Sequence, residues 1–330
     1  MLGFPTAKKK KILVTGGLGL IGHNVINELQ KTRKNDVQAV DAFTTYGTLP
    51  HEELEYLFAE RLKAIDTETQ IFKEDICTPD INEIFAQFKP DVVIHLASFP
   101  NEAAVKANPI EAARTMCVGT ANLLDCCTRH KTSKFVYISS SMVYGDFDEA
   151  SEETALNPSG QYSIWKIAGE ELVKEYNRTT GQDYVIIRPT AVYGPLDVSN
   201  RVIGTFFKRA MADETLYVNG KDETLDFTYA KDTATGIALA SVAKDVTGTY
   251  NISRGKKEKI LDVANAIVKL VGKGTVKVRA KKTNMPSRGT LDCTSAMMAF
   301  KFNPKIDIEK GLKNYYDWVK DSIYWTKKTV

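Results

Sequence analysis

The stretch Ile12-Leu13-Val14-Thr15-Gly16-Gly17-Leu18-Gly19-Leu20-Ile21-Gly22 decides how this chain is read. A short apolar run breaks into a turn whose glycines fit Gly16-x-x-Gly19-x-x-Gly22 or Gly17-x-Gly19-x-x-Gly22, and an amphipathic helix through Leu29 follows. Glycines at that spacing permit a tight strand-to-helix turn and let a pyrophosphate approach the N–H groups that open the helix. Such a match is weak by itself. Its context strengthens it, because residues 37–41 form a second apolar strand ending in Asp41, about 20 residues beyond the turn. Gly16, Gly19, Leu20, Ile21 and Gly22 are therefore candidates to cradle a dinucleotide, with Asp41 accepting from the adenosine ribose hydroxyls. A carboxylate there repels a 2′-phosphate, which favours NAD over NADP. Asp75-Ile76, after a weaker strand at 70–72, is suited to flank the adenine.

Downstream, strand and helix signals alternate. Apolar runs at 91–97, 134–139 and 184–188 read as strands, and 115–127 and 162–178 read as helices. That grammar implies a parallel sheet with helices on both faces. The connection over 43–69 is long, and helical spacing over 52–64 predicts an extra helix within it. Beyond Pro195 the pattern changes to helical pieces (202–212, 260–271, 308–320) between shorter strands and turns rich in Gly, Asn and Lys. The reading is a dinucleotide-binding domain over 1–195 that carries the chemistry, and a smaller α/β lobe over 196–330 that covers the substrate.

The chemistry is suggested by Tyr162-Ser163-Ile164-Trp165-Lys166, downstream of Ser139-Ser140-Ser141. Tyr-x-x-x-Lys alone is cheap, and the chain holds three more matches at Tyr217/Lys221, Tyr316/Lys320 and Tyr324/Lys328. Only Tyr162/Lys166 opens an amphipathic helix after an apolar strand and a run of hydroxyls. There a spacing of four puts phenol and ammonium on one helical face. A phenol, an ammonium and a hydroxyl beside a dinucleotide can move a proton and a hydride together.

Bulk properties narrow the field. The 330 residues, 43% hydrophobic and 26% charged, are ordinary for a globular protein of one or two domains. A net charge of +3 gives no electrostatic argument for nucleic acid. The basic run Lys8 to Lys11 abuts the first strand and reads as a solvated terminus. No apolar segment approaches the roughly 18 residues that span a bilayer, and residues 1–11 lack the apolar core of a secretory signal. Five cysteines without Cys-x-x-Cys, and four histidines not spaced for a metal, suggest buried thiols in a reducing cytoplasm and no metal site.

With these pieces assembled, the chain resembles the extended short-chain dehydrogenase/reductase family, in its nucleotide-sugar epimerase/dehydratase branch. The resemblance rests on Thr15-Gly16-Gly17-x-Gly19-x-x-Gly22, Lys89-Pro90-Asp91-Val92-Val93-Ile94-His95-Leu96-Ala97, Ser139-Ser140-Ser141-Met142-Val143-Tyr144-Gly145, Tyr162-x-x-x-Lys166 and Arg188-Pro189-Thr190-Ala191-Val192-Tyr193-Gly194-Pro195. It implies a Rossmann-type doubly wound sheet with NAD as cofactor and a homodimer built through two helices of each subunit. It implies that Tyr162 is the acid/base, with its pKa lowered by Lys166 and the nicotinamide ring, and that Lys166 also binds the nicotinamide ribose. Ser140 would align the reacting oxygen. Leu96, Ala97, Ser98 and Pro189 would lie on the cofactor side, Ser98 and Ser141 also near the sugar, and His95 in the core.

Two kinds of departure shape the functional reading. The 4,6-dehydratases that this chain resembles carry Asp-Glu after the catalytic hydroxyl, whereas Ser141 and Met142 stand here. A thioether transfers no proton, so dehydration is disfavoured, and decarboxylases that need the same Glu fall with it. The second kind concerns grip. Met116 replaces an Asn, Ala191 replaces an Asn that touches the substrate phosphate, and Leu225 replaces an Arg before Asp226-Phe227. A diphosphate wants charge-assisted donors, for which Arg288 is the main candidate, with Arg201 and Asn200 as helpers and Tyr217 along the nucleotide base. The reading that follows is an NAD-dependent 4-epimerase of a UDP-sugar. The alternatives are a sugar dehydrogenase or ketosugar reductase of the same fold, and a non-catalytic dinucleotide-binding protein.

Overall fold

The computed structural model describes residues 9–44, 51–197, 201–281 and 286–322. Its centre is β1 (Lys10–Thr15), where Ile12, Leu13 and Val14 are fully buried. Successive side chains of a strand point to opposite faces. Ile12 and Val14 accordingly join Ile94, Val136 and Ile187 in one apolar layer, and Leu13 joins Val93, Phe135 and Ile186 in the other. A strand apolar on both faces needs helices on both, which is why the sequence showed a continuous run and no alternation.

The first half then runs α1 (Gly22–Gln30), β2 (Asn35–Asp41), α2 (His51–Ala64), β3 (Ile71–Lys73), α3 (Ile81–Phe88) and β4 (Val92–His95). It continues through α4 (Glu102–Ala107), α5 (Pro109–Ala113), α6 (Thr120–His130), β5 (Lys134–Ile138), β6 (Phe147–Ala150), α7 (Gln161–Thr180) and β7 (Asp183–Pro189). The expected extra helix within 43–69 is α2. The helix expected over 115–127 begins instead as a π-helical segment, Arg114–Gly119, before α6 takes over.

From there the chain gives β8 (Val192–Tyr193), α8 (Val202–Met211), β9 (Thr215–Asn219), β10 (Thr224–Leu225), β11 (Thr228–Tyr229), α9 (Ala230–Val242) and β12 (Gly248–Ile252). It ends with β13 (Glu258–Lys259), α10 (Ile260–Val271), β14 (Thr275–Arg279), β15 (Arg288–Leu291), α11 (Thr294–Phe300) and α12 (Ile308–Asp321). The second lobe has its own core of Phe206, Phe207, Leu216, Val218, Ile267, Leu312 and Tyr315.

The main sheet has seven strands in the order β12-β7-β5-β4-β1-β2-β3, all parallel. One strand lies across the expected boundary at 195. β12, from the second half, pairs with β7 at the sheet edge, Thr249 opposite Ile186. α9 packs on α1, and Ala234, Ile237, Ile252 and Phe302 belong to the core of the first domain. The chain thus returns to the sheet after starting the second lobe, because β7 needed a partner and α1 an apolar cover.

β1 lies between β4 and β2, so successive connections leave it in opposite directions. Parallel sheets open a crevice at such a reversal, beyond the carboxyl ends of the strands. The glycine turn stands there.

Candidate active site

The turn after β1 is built by contacts that only glycine tolerates. Gly16 has φ +68°, and a Cβ on it would lie 2.7 Å from Ala97 N; a Cβ on Gly22 would lie 2.2 Å from Gly16 O. The first bars a side chain where the turn meets the strand-end residues Leu96-Ala97, and the second lets α1 press against the turn. No side chain caps the first turn of α1; Gly19 O accepts the His23 N–H, and the helix's positive end faces the crevice.

A cavity of about 440 Å³ opens beside it, lined by Gly16, Gly19, Leu20, Asp41, Asp75, Ile76, Leu96, Ala97 and Ser98 among others. Most of the expected cofactor residues therefore line one cavity. Ile21 packs against the core instead, and Pro189 is buried at the end of β7. Leu18 N–H donates to Asp41 Oδ2 and Phe43 N–H to Asp41 Oδ1, both at 2.9 Å. Burial pushes the Asp41 carboxyl up, while those donors and Arg61 pull it back. Arg61, on α2, was not singled out from sequence. Its guanidinium donates to Leu18 O (2.7 Å) and Leu196 O (2.8 Å), tying the glycine turn to the start of the crossing into the second lobe. Elsewhere in the same lining Asp75 pairs with Arg114 at 2.8 Å and accepts Cys77 N–H at 2.9 Å.

The proposed chemical groups meet at the ends of β5 and α7. The Glu102 carboxylate on α4 accepts the N–H groups of Tyr162 (2.8 Å) and Gln161 (3.2 Å), which caps α7 where Gly160 enters with φ +100°. That cap fixes Tyr162 in the first helical turn, at the sheet's carboxyl end. Ser140 opens a short 3₁₀ turn, Ser141–Tyr144; its Oγ accepts Met142 N–H at 3.2 Å, which frees its own O–H to donate. Ser140 lies within hydrogen-bonding reach of the Tyr162 phenol. Lys166 Nζ lies 5.8 Å from the centre of the Tyr162 ring and donates to Ile138 O at 2.7 Å.

Burial raises the Tyr162 phenol above its ordinary value, and the influences that lower it are Arg201, Ser140 and Arg288. Lys166 is not among them. Its ammonium is buried and pushed down to about 7, against the pull of Glu170. Burial is what lowers that ammonium, and the Glu170 carboxylate counters it.

Those arginines come from separate places. Arg201 precedes α8, lines the 440 Å³ cavity and donates to Pro100 O (2.9 Å) and Val192 O (3.2 Å). Arg288 opens β15, carries a buried Nε without a partner, and lines a second cleft of about 430 Å³. Both act on the Tyr162 phenol. Burial and Arg201 press the Arg288 guanidinium down to about 10. The second cleft's acids are largely answered: Asp148 pairs with Lys257, Asp222 with Lys259 and Glu223 with Lys281.

Other expected residues fare differently. Tyr217 lies on β9 between buried Leu216 and Val218, and its ring contacts are the guanidinium groups of Arg209 (5.4 Å) and Arg279 (3.2 Å), inside the second lobe. Asn200 lies outside the described residues. His95 is a core histidine between Thr15 (2.8 Å) and Thr120 (3.0 Å), its imidazole lowered to about 3 by burial. Met116 is buried with Phe99, Ala104 and Val105, and Tyr162 and Trp165 pack on that cluster. Leu225 belongs to the second core, and Ala191 has the unusual φ of +33°. Ser141 Oγ and Thr190 Oγ1 are buried without partners. Among the described residues, no group of His, Cys, Asp or Glu could hold a metal ion, and no helix is long and apolar enough to cross a membrane.

Comparison with known proteins places these features in context. The NAD dependent epimerase/dehydratase family matches residues 12–253. The uncharacterized UDP-glucose epimerase YtcB of Bacillus subtilis is 30% identical, over 92% of this chain and 96% of its own length. The dTDP-glucose 4,6-dehydratase 1 of Escherichia coli is 28% identical, over 96% of this chain and 94% of its own. The crystal structure of UDP-glucuronic acid 4-epimerase from Bacillus cereus, in complex with UDP-glucuronic acid and NAD, superposes with a TM-score of 0.86 at 28% identity, covering 94% of this chain and 99% of that one.

Proposed function

The chain belongs to the NAD dependent epimerase/dehydratase family, and on that premise we propose that it is an NAD-dependent 4-epimerase of a UDP-sugar. The observation that carries this reading is the meeting of Ser140, Tyr162 and Lys166 beside the glycine-turn cavity, with the thioether of Met142 where a dehydratase needs an acid. The cavity fits the cofactor: the glycine turn excludes side chains, α1 presents uncapped N–H groups, and Asp41 keeps one lone pair on each oxygen for ribose hydroxyls. NAD, when bound, supplies a hydride acceptor that can return what it takes.

The protein's own groups do the rest. Ser140 donates to the sugar's C4 oxygen and orients it. Tyr162 takes the hydroxyl proton as the carbonyl forms and gives it back on reduction. Arg201 and Arg288 grip the diphosphate, in place of the side chains lost at Ala191 and Leu225, while the sugar turns over between the two half-reactions. Epimerization needs that grip to outlast the ketone.

The superposed 4-epimerase of Bacillus cereus is described with UDP-glucuronic acid, so UDP-hexuronate is the first substrate to test and UDP-hexose the second. Incubation of the purified protein with each nucleotide sugar, followed by proton NMR, is expected to give the C4 epimer with no accumulating reduced nicotinamide. Stoichiometric reduced nicotinamide with a free sugar would favour a net dehydrogenase instead, a reading that the apolar Leu225 and Ala191 keep in play.

Ile110, Val118 and Ile164, on α5, the π-helical segment and α7, are 83%, 56% and 49% exposed. A second copy of the chain covers that apolar face in the proposed homodimer. Light scattering of wild type is expected to give twice the chain mass, and Val118→Glu with Ile164→Glu to give a monomer; a wild-type monomer at assay concentration would refute the dimer.

A further inference from the structure

Behind Lys166 lies a buried polar chain that the proposed chemistry does not use. Glu170 follows Lys166 by one helical turn, so both side chains lie on one face of α7. Glu170 is fully buried. Arg188, on β7, donates to it through Nε (2.9 Å) and Nη2 (2.6 Å). Ser139 Oγ also donates to Glu170, and Ser139 immediately follows Ile138, whose carbonyl accepts from Lys166. Arg188 continues to the Tyr144 hydroxyl (2.9 Å), and Tyr144 to Asn251 Oδ1 on β12 (2.8 Å). The carbonyl that anchors the lysine and the carboxylate beside it are thus pinned by one network spanning β5, α7, β7 and β12.

We propose that Glu170, clamped by Arg188 and Ser139, is a positioning residue that holds Lys166 charged and aimed at Ile138 O during the reaction proposed above. Physical necessity points the same way. An isolated buried ammonium sheds its proton unless an anion stays near it. The groups facing Lys166 are His95 of β4, Tyr137 of β5 (ring centre 5.3 Å from Nζ) and Tyr162 and Glu170 of α7, with Arg188 of β7 behind Glu170. Glu170 is the one carboxylate in that set, and of its pair with Arg188 it is the member on the lysine's own helical face, with the guanidinium behind it.

The test reads Lys166 itself, so it does not depend on the substrate being right. Lysine Nζ resonances of the NAD-loaded protein are followed against pH by nitrogen NMR, with Lys166→Met as the assignment blank. Glu170→Gln is expected to lower the Lys166 midpoint by about one pH unit or more, with NAD affinity kept. Glu170→Asp is expected to stay near wild type. If Glu170→Gln leaves Arg188 stranded and the protein does not fold, the double variant Glu170→Gln/Arg188→Gln, neutral at both places, replaces it and is expected to shift in the same direction. An unmoved midpoint in a folded Glu170→Gln or double variant overturns the proposal. In turnover assays the same variants should lose kcat at alkaline pH with KM little changed. If wild type interconverts no nucleotide sugar while the NMR shift is seen, the substrate reading fails and the role of Glu170 stands.

Discussion

Tyr162→Phe is expected to lower the turnover number by ~10³-fold, the usual worth of a positioned acid/base, while leaving NAD content and thermal midpoint within error of wild type. The reasoning is local. The phenol's ring packs on Met116 and its neighbours, and Phe keeps that packing. What disappears is the hydroxyl within reach of Ser140, in the positive field of Arg201 and Arg288. A KM effect should be small, because the arginines proposed to grip the diphosphate are untouched. Retention of more than a tenth of wild-type kcat would mean that another group carries the proton.

Gly16→Val attacks the other half of the site and should have the larger effect on the protein itself. A β-branched side chain would be forced to φ +68° with its Cβ 2.7 Å from the Ala97 backbone. Backbone strain of that kind costs roughly 1–3 kcal/mol, and overpacking adds about as much again. Shifting the turn away from Ala97 also moves the N–H groups of α1 off the pyrophosphate. A misplacement near 1 Å is worth about 100-fold in such a site. Purified Gly16→Val should therefore carry only traces of NAD by mass spectrometry and melt below wild type. A variant that keeps stoichiometric NAD would show that the turn does not hold the dinucleotide.

How far the sequence could be read depended on how local each feature is. The glycine turn, the buried strands and the extra helix were legible because each is a short pattern whose meaning does not depend on distant residues. Tyr162 and Lys166 were legible because they share one helical face. Glu170 and Arg188 were not: apart in sequence and on different elements, each looks like an ordinary surface charge, and only the packing of α7 on β7 buries them together. Arg61 was hidden for the same reason, since its partners Leu18 and Leu196 contribute carbonyls, which carry no side-chain signature. The return of β12 to the sheet edge was masked by its place among second-lobe elements. Ser141 was read correctly as part of the hydroxyl run, but its lack of a partner is a property of the packed core. The two arginines were noted as phosphate binders, and their effect on the phenol follows from where α8 and β15 deliver them.

The central claim is that one carbon of the sugar loses its hydrogen inside this site and recovers the same one on the other face. The most direct measurement uses a UDP-hexuronate and a UDP-hexose, each deuterated at C4, turned over in ordinary water with the products read by NMR and mass spectrometry. The account predicts the C4 epimer with deuterium retained at C4. A C4 epimer bearing solvent hydrogen there, or a ketosugar that has lost water, would contradict it.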